Sequence, residues 1–220
     1  CTMTALPALV VFDLDACLWD PEVYQLRDPD SPLEFDEERN VATAASGEEI
    51  QLLGSTAEIF AELAAAPQWQ KSRVAVASCC DRPDTAEWLL SEFRTAGGAH
   101  TLSEVVEFTE IRYGSKREHF RLLHEASGVP YTQMLFFDDQ AGNCREVSEL
   151  GVVTQRTPLG LTEQAWRAGL RQFAASTSGS GGSKTSAGGE ACPAPIAEAG
   201  TSCKRLRTHE TDSSPRVAVS

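Results

Sequence analysis

The sequence predicts an α/β fold in which a parallel sheet is flanked by helices. Short, wholly apolar runs of the kind that form strands buried on both faces alternate with stretches of helical periodicity. Two of these apolar runs end in paired acids, Asp13 with Asp15 and Asp138 with Asp139. Functional groups of an open parallel sheet lie just beyond the carboxyl ends of its strands. We therefore expect the two acid pairs to share one edge of the sheet.

The first predicted strand covers Leu9–Phe12 and ends at Asp13, because aspartate is a poor strand former. Asp13 and Asp15 are separated by one residue, so they can take two different roles. A long irregular stretch follows at about residues 20–54 and is rich in Asp, Glu and Pro. A connection of this length in a compact domain is usually functional or mobile. We expect it to form a minimal cap, a small flap that contains short strands.

The remaining residues up to 175 alternate between helices and strands. Capping boxes, in which Ser is followed three residues later by Glu, predict helix starts at Ser55 and Ser115. Further helices are indicated after Pro83, after the second acid pair and around Trp166–Phe173. Strands are expected at residues 73–78, 105–108, 135–138 and 152–154. This alternation requires right-handed crossovers and gives a Rossmann-like parallel sheet.

Length and charge set limits on the partners of the protein. The 220 residues fit one good-sized domain, which we place at residues 1–175. Residues 176–220 are rich in Gly, Ser, Ala and Pro and are expected to form a disordered low-complexity tail. The net charge is −13, and because the tail holds five Lys and Arg against four Asp and Glu, the domain carries −14. Such an acidic body argues against binding nucleic acid or an anionic membrane surface.

The seven cysteines form no CxxC pair, so neither a zinc site nor a disulfide framework is indicated. Free thiols are typical of a reducing compartment, and we expect a cytoplasmic protein. No apolar run approaches the roughly 20 residues that are needed to span a bilayer. No basic region followed by a long apolar stretch marks a secretory signal near residue 1. The sequence leaves the oligomeric state open.

Four carboxylates at neighbouring strand ends repel one another unless protons or a cation relieve the repulsion. Because all of these ligands are oxygens, a hard cation is favoured, and Mg²⁺ commonly uses one or two carboxylates together with water and phosphate oxygens. One acid pair alone could simply terminate a strand. The two pairs together predict a Mg²⁺ site at this edge of the sheet.

The motifs around these acids resemble those of the haloacid dehalogenase superfamily of phosphohydrolases. Four positions match its motifs in order: Phe12-Asp13-Leu14-Asp15, Ser78, Lys116 and Asp138-Asp139. Finer features resemble the magnesium-dependent acid phosphatase branch: Leu18-Trp19, Gly114-Ser115-Lys116 with His119-Phe120, and Gly128-Val129-Pro130 before the second acid pair. The resemblance covers about residues 7–175 and does not include the tail.

The resemblance implies that Asp13 attacks phosphorus and forms an aspartyl-phosphate, which divides one difficult hydrolysis into two easier steps. Asp15 would protonate the leaving oxygen and then activate water. Mg²⁺ would be held by the Asp13 carboxylate, the Asp15 backbone carbonyl and Asp139, and would neutralise phosphoryl charge. Asp138 would orient Lys116, although the roles of Asp138 and Asp139 could be exchanged.

The resemblance also implies a set of groups that bind the phosphoryl oxygens. These are the backbone N–H of Leu14, the hydroxyl of Ser78 and the ammonium of Lys116. Lys116 would lie in a first helical turn, where a cation interacts unfavourably with the helix dipole. A lysine in this unfavourable position suggests that it has a function. Cys79 stands where animal members of the family have an arginine that contacts the substrate. We therefore count Cys79 among the candidate substrate-binding residues, and the substrate preference of the animal members does not carry over to this chain.

The resemblance thus implies a Mg²⁺-dependent phosphatase that acts on phosphomonoesters of a small molecule or a phosphoprotein. It favours sugar-type phosphates, such as fructosamine phosphates, or phosphotyrosine. One alternative is a receiver-like signalling module that accepts a phosphoryl group without turnover. In such a module the Lys follows the phosphorylated acid, whereas Lys116 precedes the second acid pair. Another alternative is an inactive scaffold, but all four motif positions keep their functional groups.

Overall fold

A parallel sheet lies at the centre of the fold. The computed structural model describes residues 5–28 and 31–178. Within them the strands and α-helices are, in chain order, β1 (Leu9–Phe12), β2 (Trp19–Asp20), β3 (Leu33–Asp36), β4 (Val41–Ala44), β5 (Glu49–Leu52), α1 (Thr56–Ala65), β6 (Arg73–Ser78), α2 (Pro83–Glu92), α3 (Leu102–Val105), β7 (Phe108–Ile111), α4 (Lys116–Ser127), β8 (Met134–Asp138), α5 (Ala141–Ser148), β9 (Val153–Arg156) and α6 (Glu163–Ser178). The strand order is β7-β6-β1-β8-β9, and each neighbouring pair is parallel. The predicted α/β class is therefore confirmed.

The continuous apolar run of β1 is explained by its place in the middle of this sheet. All four of its residues are completely buried. Leu9 and Val11 contribute to the hydrophobic core on one face, while Val10 and Phe12 contribute to the core on the other. The ring of Phe12 packs 5.2 Å from that of Phe60 on α1. A strand covered on both sides cannot alternate apolar and polar residues.

The flap predicted after β1 is present as a second, antiparallel sheet in the order β2-β5-β4-β3. The turn between β3 and β4 contains Asn40, whose positive φ of 55° is tolerated by asparagine. The Asn40 side chain donates to the backbone carbonyl of Arg94 at 3.1 Å and accepts from its N–H at 2.8 Å. Phe35 of β3 packs edge-on against Phe93, with centroids 5.8 Å apart. Polar and aromatic contacts thus attach the flap to the segment after α2.

Two local predictions differ from the structure in part. The helix predicted at Ser55 does begin there, since α1 starts at Thr56, but Ser55 makes no capping hydrogen bond; instead the hydroxyl of Thr56 donates to the carbonyl of Leu53 at 2.7 Å. The strand expected at residues 105–108 begins only at Phe108, because α3 occupies the residues before it. A capping box starts that helix: Thr101 accepts from the N–H of Glu104, whose side chain accepts from the N–H of Thr101. The Thr101–Glu104 spacing was the sequence signal for this short helix.

The second capping prediction is confirmed in its essential bond. The hydroxyl of Ser115 accepts from the backbone N–H of Glu118 at 3.2 Å, so α4 begins at Lys116. Gly128 ends this helix with a φ of 70°, a conformation that glycine adopts without steric cost. The start of α4 is therefore fixed by its own sequence, and this position matters for the site.

The predicted tail at 176–220 lies outside the described residues, apart from residues 176–178. Those three residues complete α6, so the last helix runs slightly beyond the predicted domain boundary. Among the helices that the structure describes, none combines the length and the apolar character needed to cross a membrane.

Candidate active site

The carboxyl ends of three adjacent strands form the site. β1 lies between β6 and β8, with Phe12 opposite Val76 on one side and Phe137 on the other. The next residue after β1 is Asp13, whose N–H donates to the carbonyl of Phe137 at 2.9 Å. Ser78 ends β6 and Asp138 ends β8, and both are buried. The sheet topology therefore brings three of the predicted site residues to one edge.

Lys116 projects into this edge from the first turn of α4. Its ammonium nitrogen lies 2.7 Å from Asp13 Oδ1, 3.3 Å from Asp138 Oδ2 and 2.5 Å from the carbonyl oxygen of Ala77. The side chain is only 2% exposed. Burial lowers the pKa of Lys116, but the charges of Asp13 and Asp138 outweigh burial, and the net shift is upward. Lys116 therefore remains a cation inside the acid cluster.

Asp138 is already saturated with hydrogen bonds. Its Oδ1 accepts from the N–H of Gln140 at 2.7 Å, and the Asn143 amide donates to Oδ1 and Oδ2 at 3.2 and 3.0 Å. With Lys116 as a further partner, the carboxylate has a fixed orientation. Burial raises the pKa of Asp138, and the charge of Asp13 adds to this increase.

Asp139 differs because one of its oxygens has no partner. Its Oδ1 is buried and makes no hydrogen bond within the described part of the chain. Asp13, Asp138 and Asp139 each offer a carboxylate oxygen, and these oxygens lie within 4.8 Å of one another. Burial raises the pKa of Asp139 to about 6, and the charge of Asp13 also raises it. An oxygen-only cluster with an unused, buried carboxylate oxygen suits Mg²⁺.

The Asp15 side chain is hydrogen-bonded to the segment that begins the flap. Its Oδ1 accepts from the indole N–H of Trp19 at 2.8 Å and from the backbone N–H of Val23 at 3.3 Å. The intervening Ala16 adopts a φ of 58°, which allows the chain to turn back on itself here. Burial raises the pKa of Asp15 to about 7; the Trp19 bond opposes this increase and the charge of Asp13 adds to it. The separation of Asp13 and Asp15 into two environments allows two chemical roles.

Two cysteines, Cys79 and Cys80, follow Ser78 directly after the end of β6. Cys79 is half-buried, while Cys80 is buried. Burial raises the pKa of Cys80 to about 12, so its thiol stays protonated. Cys17, beyond the first acid pair, is completely buried, and its thiol pKa is also raised well above the usual range, chiefly by burial. Cys17 and Cys80 are therefore packing residues.

Two residues at this edge were missed by the sequence analysis. Asn143 lies in the first turn of α5 and holds Asp138. Arg156, the last residue of β9, donates from Nε and Nη2 to the backbone carbonyl of Asp139, at 3.2 Å each. The position of Asn143 one helical turn beyond the second acid pair was an available signal. Nothing local marked Arg156, because only the pairing of β8 with β9 brings it close.

Comparison with known proteins agrees with this geometry. The sequence profile of the acid phosphatase family matches residues 5–176. Human magnesium-dependent phosphatase 1 is 33% identical over 177 residues, which cover 80% of this chain and 93% of the human protein. A haloacid dehalogenase-like hydrolase superfamily protein of Schizosaccharomyces pombe is 34% identical over 149 residues, or 66% of this chain and 83% of the yeast protein.

A solved structure supports the fold. The crystal structure of a haloacid dehalogenase-superfamily hydrolase from Ehrlichia chaffeensis superimposes with a TM-score of 0.51. The match covers 78% of this chain and 98% of that one, at 11% sequence identity. At this identity the similarity concerns the fold alone, whereas the sequence matches concern the family. The chain belongs to the acid phosphatase family, the magnesium-dependent phosphatase branch of the haloacid dehalogenase superfamily.

Proposed function

We propose that this magnesium-dependent phosphatase hydrolyses phosphomonoesters through a phosphorylated Asp13. The observation that carries the proposal is the ammonium of Lys116, buried 2.7 Å from Asp13 Oδ1 at the end of the central strand. A buried cation stabilises the charged carboxylate that must act as nucleophile, and it attracts a phosphoryl group to the same place. Within the described residues, no other acid of the cluster combines this contact with a position at the end of β1.

Asp15 is suited to act as the general acid and base. A pKa of about 7 leaves a substantial part of the Asp15 population protonated at neutral pH. In the first step an Asp13 oxygen bonds to phosphorus while the bond to the leaving oxygen breaks, and Asp15 gives its proton to that oxygen. In the second step Asp15, now a carboxylate, takes a proton from water as the water oxygen attacks phosphorus. The bond between phosphorus and Asp13 then breaks and phosphate is released.

The remaining groups bind the phosphoryl oxygens and the metal. The N–H of Leu14, the hydroxyl of Ser78 and the ammonium of Lys116 would hold the transferring group. The Asp13 and Asp139 carboxylates and the Asp15 backbone carbonyl would hold Mg²⁺, which supplies charge neutralisation to the phosphoryl group. The hydrogen bonds of Asp138 support its assignment as the residue that orients Lys116.

If Asp15 is the general acid and base, a variant without its carboxylate should show an initial burst of product release. We expect Asp15→Asn to release about one p-nitrophenolate per enzyme from p-nitrophenyl phosphate, followed by turnover roughly 10² to 10⁴ times slower than wild type. The leaving group is good enough to depart without a proton, but the aspartyl-phosphate then lacks its base. Rapid-quench kinetics and acid-stable labelling from a radioactive phosphate ester measure this directly. Steady turnover without a burst, at the wild-type rate, would contradict the role.

The two acids of β8 are expected to differ in their effect on the metal. Asp139→Ala should weaken Mg²⁺ binding more than about tenfold, because it removes the unpartnered ligand oxygen. Asp138→Ala should weaken it less but lower the melting temperature, because Asn143 and Lys116 lose a shared buried partner. Isothermal titration with Mg²⁺ and thermal melts of both variants measure these effects. The reverse order of Mg²⁺ affinities would exchange the two residues.

The substrate class proposed is a sugar-type phosphate, such as a fructosamine phosphate, or phosphotyrosine. The small flap leaves no large cap domain over the site among the described residues, and Cys79 replaces the substrate-contacting arginine that the family resemblance implied at this position. A screen over sugar phosphates, fructosamine phosphates and phosphotyrosine peptides, with Mg²⁺ and with a chelator, distinguishes these possibilities. Asp13→Asn serves as the blank for contaminating phosphatases.

A further inference from the structure

The contact between Trp19 and Asp15 joins the flap to the proposed general acid. The indole N–H donates to Asp15 Oδ1 at 2.8 Å, and the N–H of Val23 donates to the same oxygen at 3.3 Å. The turn between the two residues is tight, since the N–H of Ala16 donates to the carbonyl of Trp19 at 2.9 Å. The side chain of Asp15 is therefore held by the same segment that begins the flap.

Trp19 is itself held firmly. Its side chain is completely buried. It belongs to β2, where it pairs with Leu52 of β5. Its ring stacks on Phe93, with centroids 6.0 Å apart and an interplanar angle of 28°. A donor fixed by a sheet pairing and a ring stack offers its N–H in one direction only, and the acceptor must adapt to it.

The two bonds also distinguish the oxygens of Asp15. A carboxyl oxygen that accepts two N–H bonds is best kept as the unprotonated oxygen, so the proton of the acid form belongs on Oδ2. We infer that Trp19 is a positioning residue for Asp15, fixing the carboxyl group so that Oδ2 presents its proton to the leaving oxygen. This inference rests on the proposed acid role of Asp15 and extends it to a residue of the flap sheet. The flap sheet then has a part in catalysis.

The test compares two leaving groups. Phenolate is a poorer leaving group than p-nitrophenolate, so its departure from phenyl phosphate depends more strongly on a proton from the general acid. The two esters are otherwise similar in shape. We expect Trp19→Phe to lower kcat/KM for phenyl phosphate by about tenfold or more and to lower that for p-nitrophenyl phosphate by less than about threefold. Phe preserves an aromatic ring in the same place but cannot donate.

A matched control exists elsewhere in the chain. Trp69 is also buried, and its ring packs at a tilt against that of Trp166 with centroids 5.3 Å apart. It donates its indole N–H to Glu62 at 3.0 Å. Its acceptor, Glu62 of α1, is not one of the acids of the site. Trp69→Phe removes the same kind of bond and should leave the ratio of kcat/KM for the two esters unchanged. Thermal melts of both variants report the packing cost separately.

Asp15→Asn separates failure of the inference from failure of the proposed function. Suppose that Asp15→Asn lowers kcat/KM for phenyl phosphate more than for p-nitrophenyl phosphate, but Trp19→Phe lowers kcat/KM for both esters equally. Trp19 is then only a packing residue, and the inference is overturned. If Asp15→Asn itself shows no discrimination, the acid role fails first. The double variant should lose no more than Asp15→Asn alone, and additive losses would also overturn the inference.

A second substitution keeps the test valid if Trp19→Phe folds poorly. Replacing Trp19 with β-(3-benzothienyl)alanine exchanges the N–H for sulfur and keeps the size and shape of the ring. The same selective loss with phenyl phosphate is expected, with a melting temperature near that of wild type. Equal activity of this variant and wild type on both esters would overturn the inference.

Discussion

Asp13→Asn is expected to lower the turnover of p-nitrophenyl phosphate by about 10³-fold or more while the protein remains folded. The amide has the size of the carboxylate but is a poor nucleophile, so no aspartyl-phosphate forms. The packing around the residue survives, because Lys116 keeps Asp138 Oδ2 at 3.3 Å and the carbonyl of Ala77. The variant loses one ion pair with Lys116, but the neutral amide also removes the charge repulsion between position 13 and the carboxylates of Asp138 and Asp139.

Two measurements decide this prediction. Steady-state hydrolysis gives the turnover, and labelling from a radioactive phosphate ester shows whether a phosphoenzyme forms. The control is Asp84→Asn, which makes the same change at an exposed position in the first turn of α2. A folded Asp13→Asn protein that retains substantial turnover, or that still becomes labelled, would place the nucleophile elsewhere.

Lys116→Met should reduce both activity and stability. Methionine fills a similar volume but leaves Asp13 and Asp138 buried without their cation. Breaking a buried ion pair by removing one partner typically costs about 3–5 kcal/mol of unfolding free energy. Loss of the ammonium from the phosphoryl site should lower turnover by about 10²-fold or more. The large expected effect follows from a lysine that is only 2% exposed and bonded to two acids.

The destabilisation should depend on pH, measured with a chelator present. The pKa values of Asp138 and Asp139 are raised in the folded state, so the folded protein binds more protons than the unfolded chain as pH rises from about 4 towards 7. Stability contributed by these acids is therefore lost as pH rises through their folded pKa values. Removing Lys116 makes this loss of stability larger. The difference in unfolding free energy between Lys116→Met and wild type should therefore be larger at pH 8 than at pH 5.

Denaturant unfolding of both proteins at the two pH values gives the comparison. The control is Lys71→Met, since Lys71 is exposed and lies just before β6. That variant should unfold like wild type at both pH values. A Lys116→Met protein as stable as wild type at pH 8 would show that the acids are not held as a mutually repelling buried group.

Much of the site could be predicted from the sequence because its signals are local. The apolar run of β1 ends at Asp13 for reasons of strand propensity, and the same holds for β8 and Asp138. The capping bond of Ser115 places Lys116 in the first turn of α4. Strand ends and helix starts are determined by a few adjacent residues, so their chemistry is visible before the fold is known.

The tertiary structure alone decided which contacts these groups make. Asp138 and Asp139 are adjacent and identical in kind, and only α5 and Lys116, which reach Asp138, make them different. The bond from Trp19 to Asp15 depends on a positive φ at Ala16 and on the flap sheet that holds the indole. Sequence patterns fix where a carboxylate enters the site, but the direction of its oxygens depends on donors brought by distant elements through non-local pairing and packing.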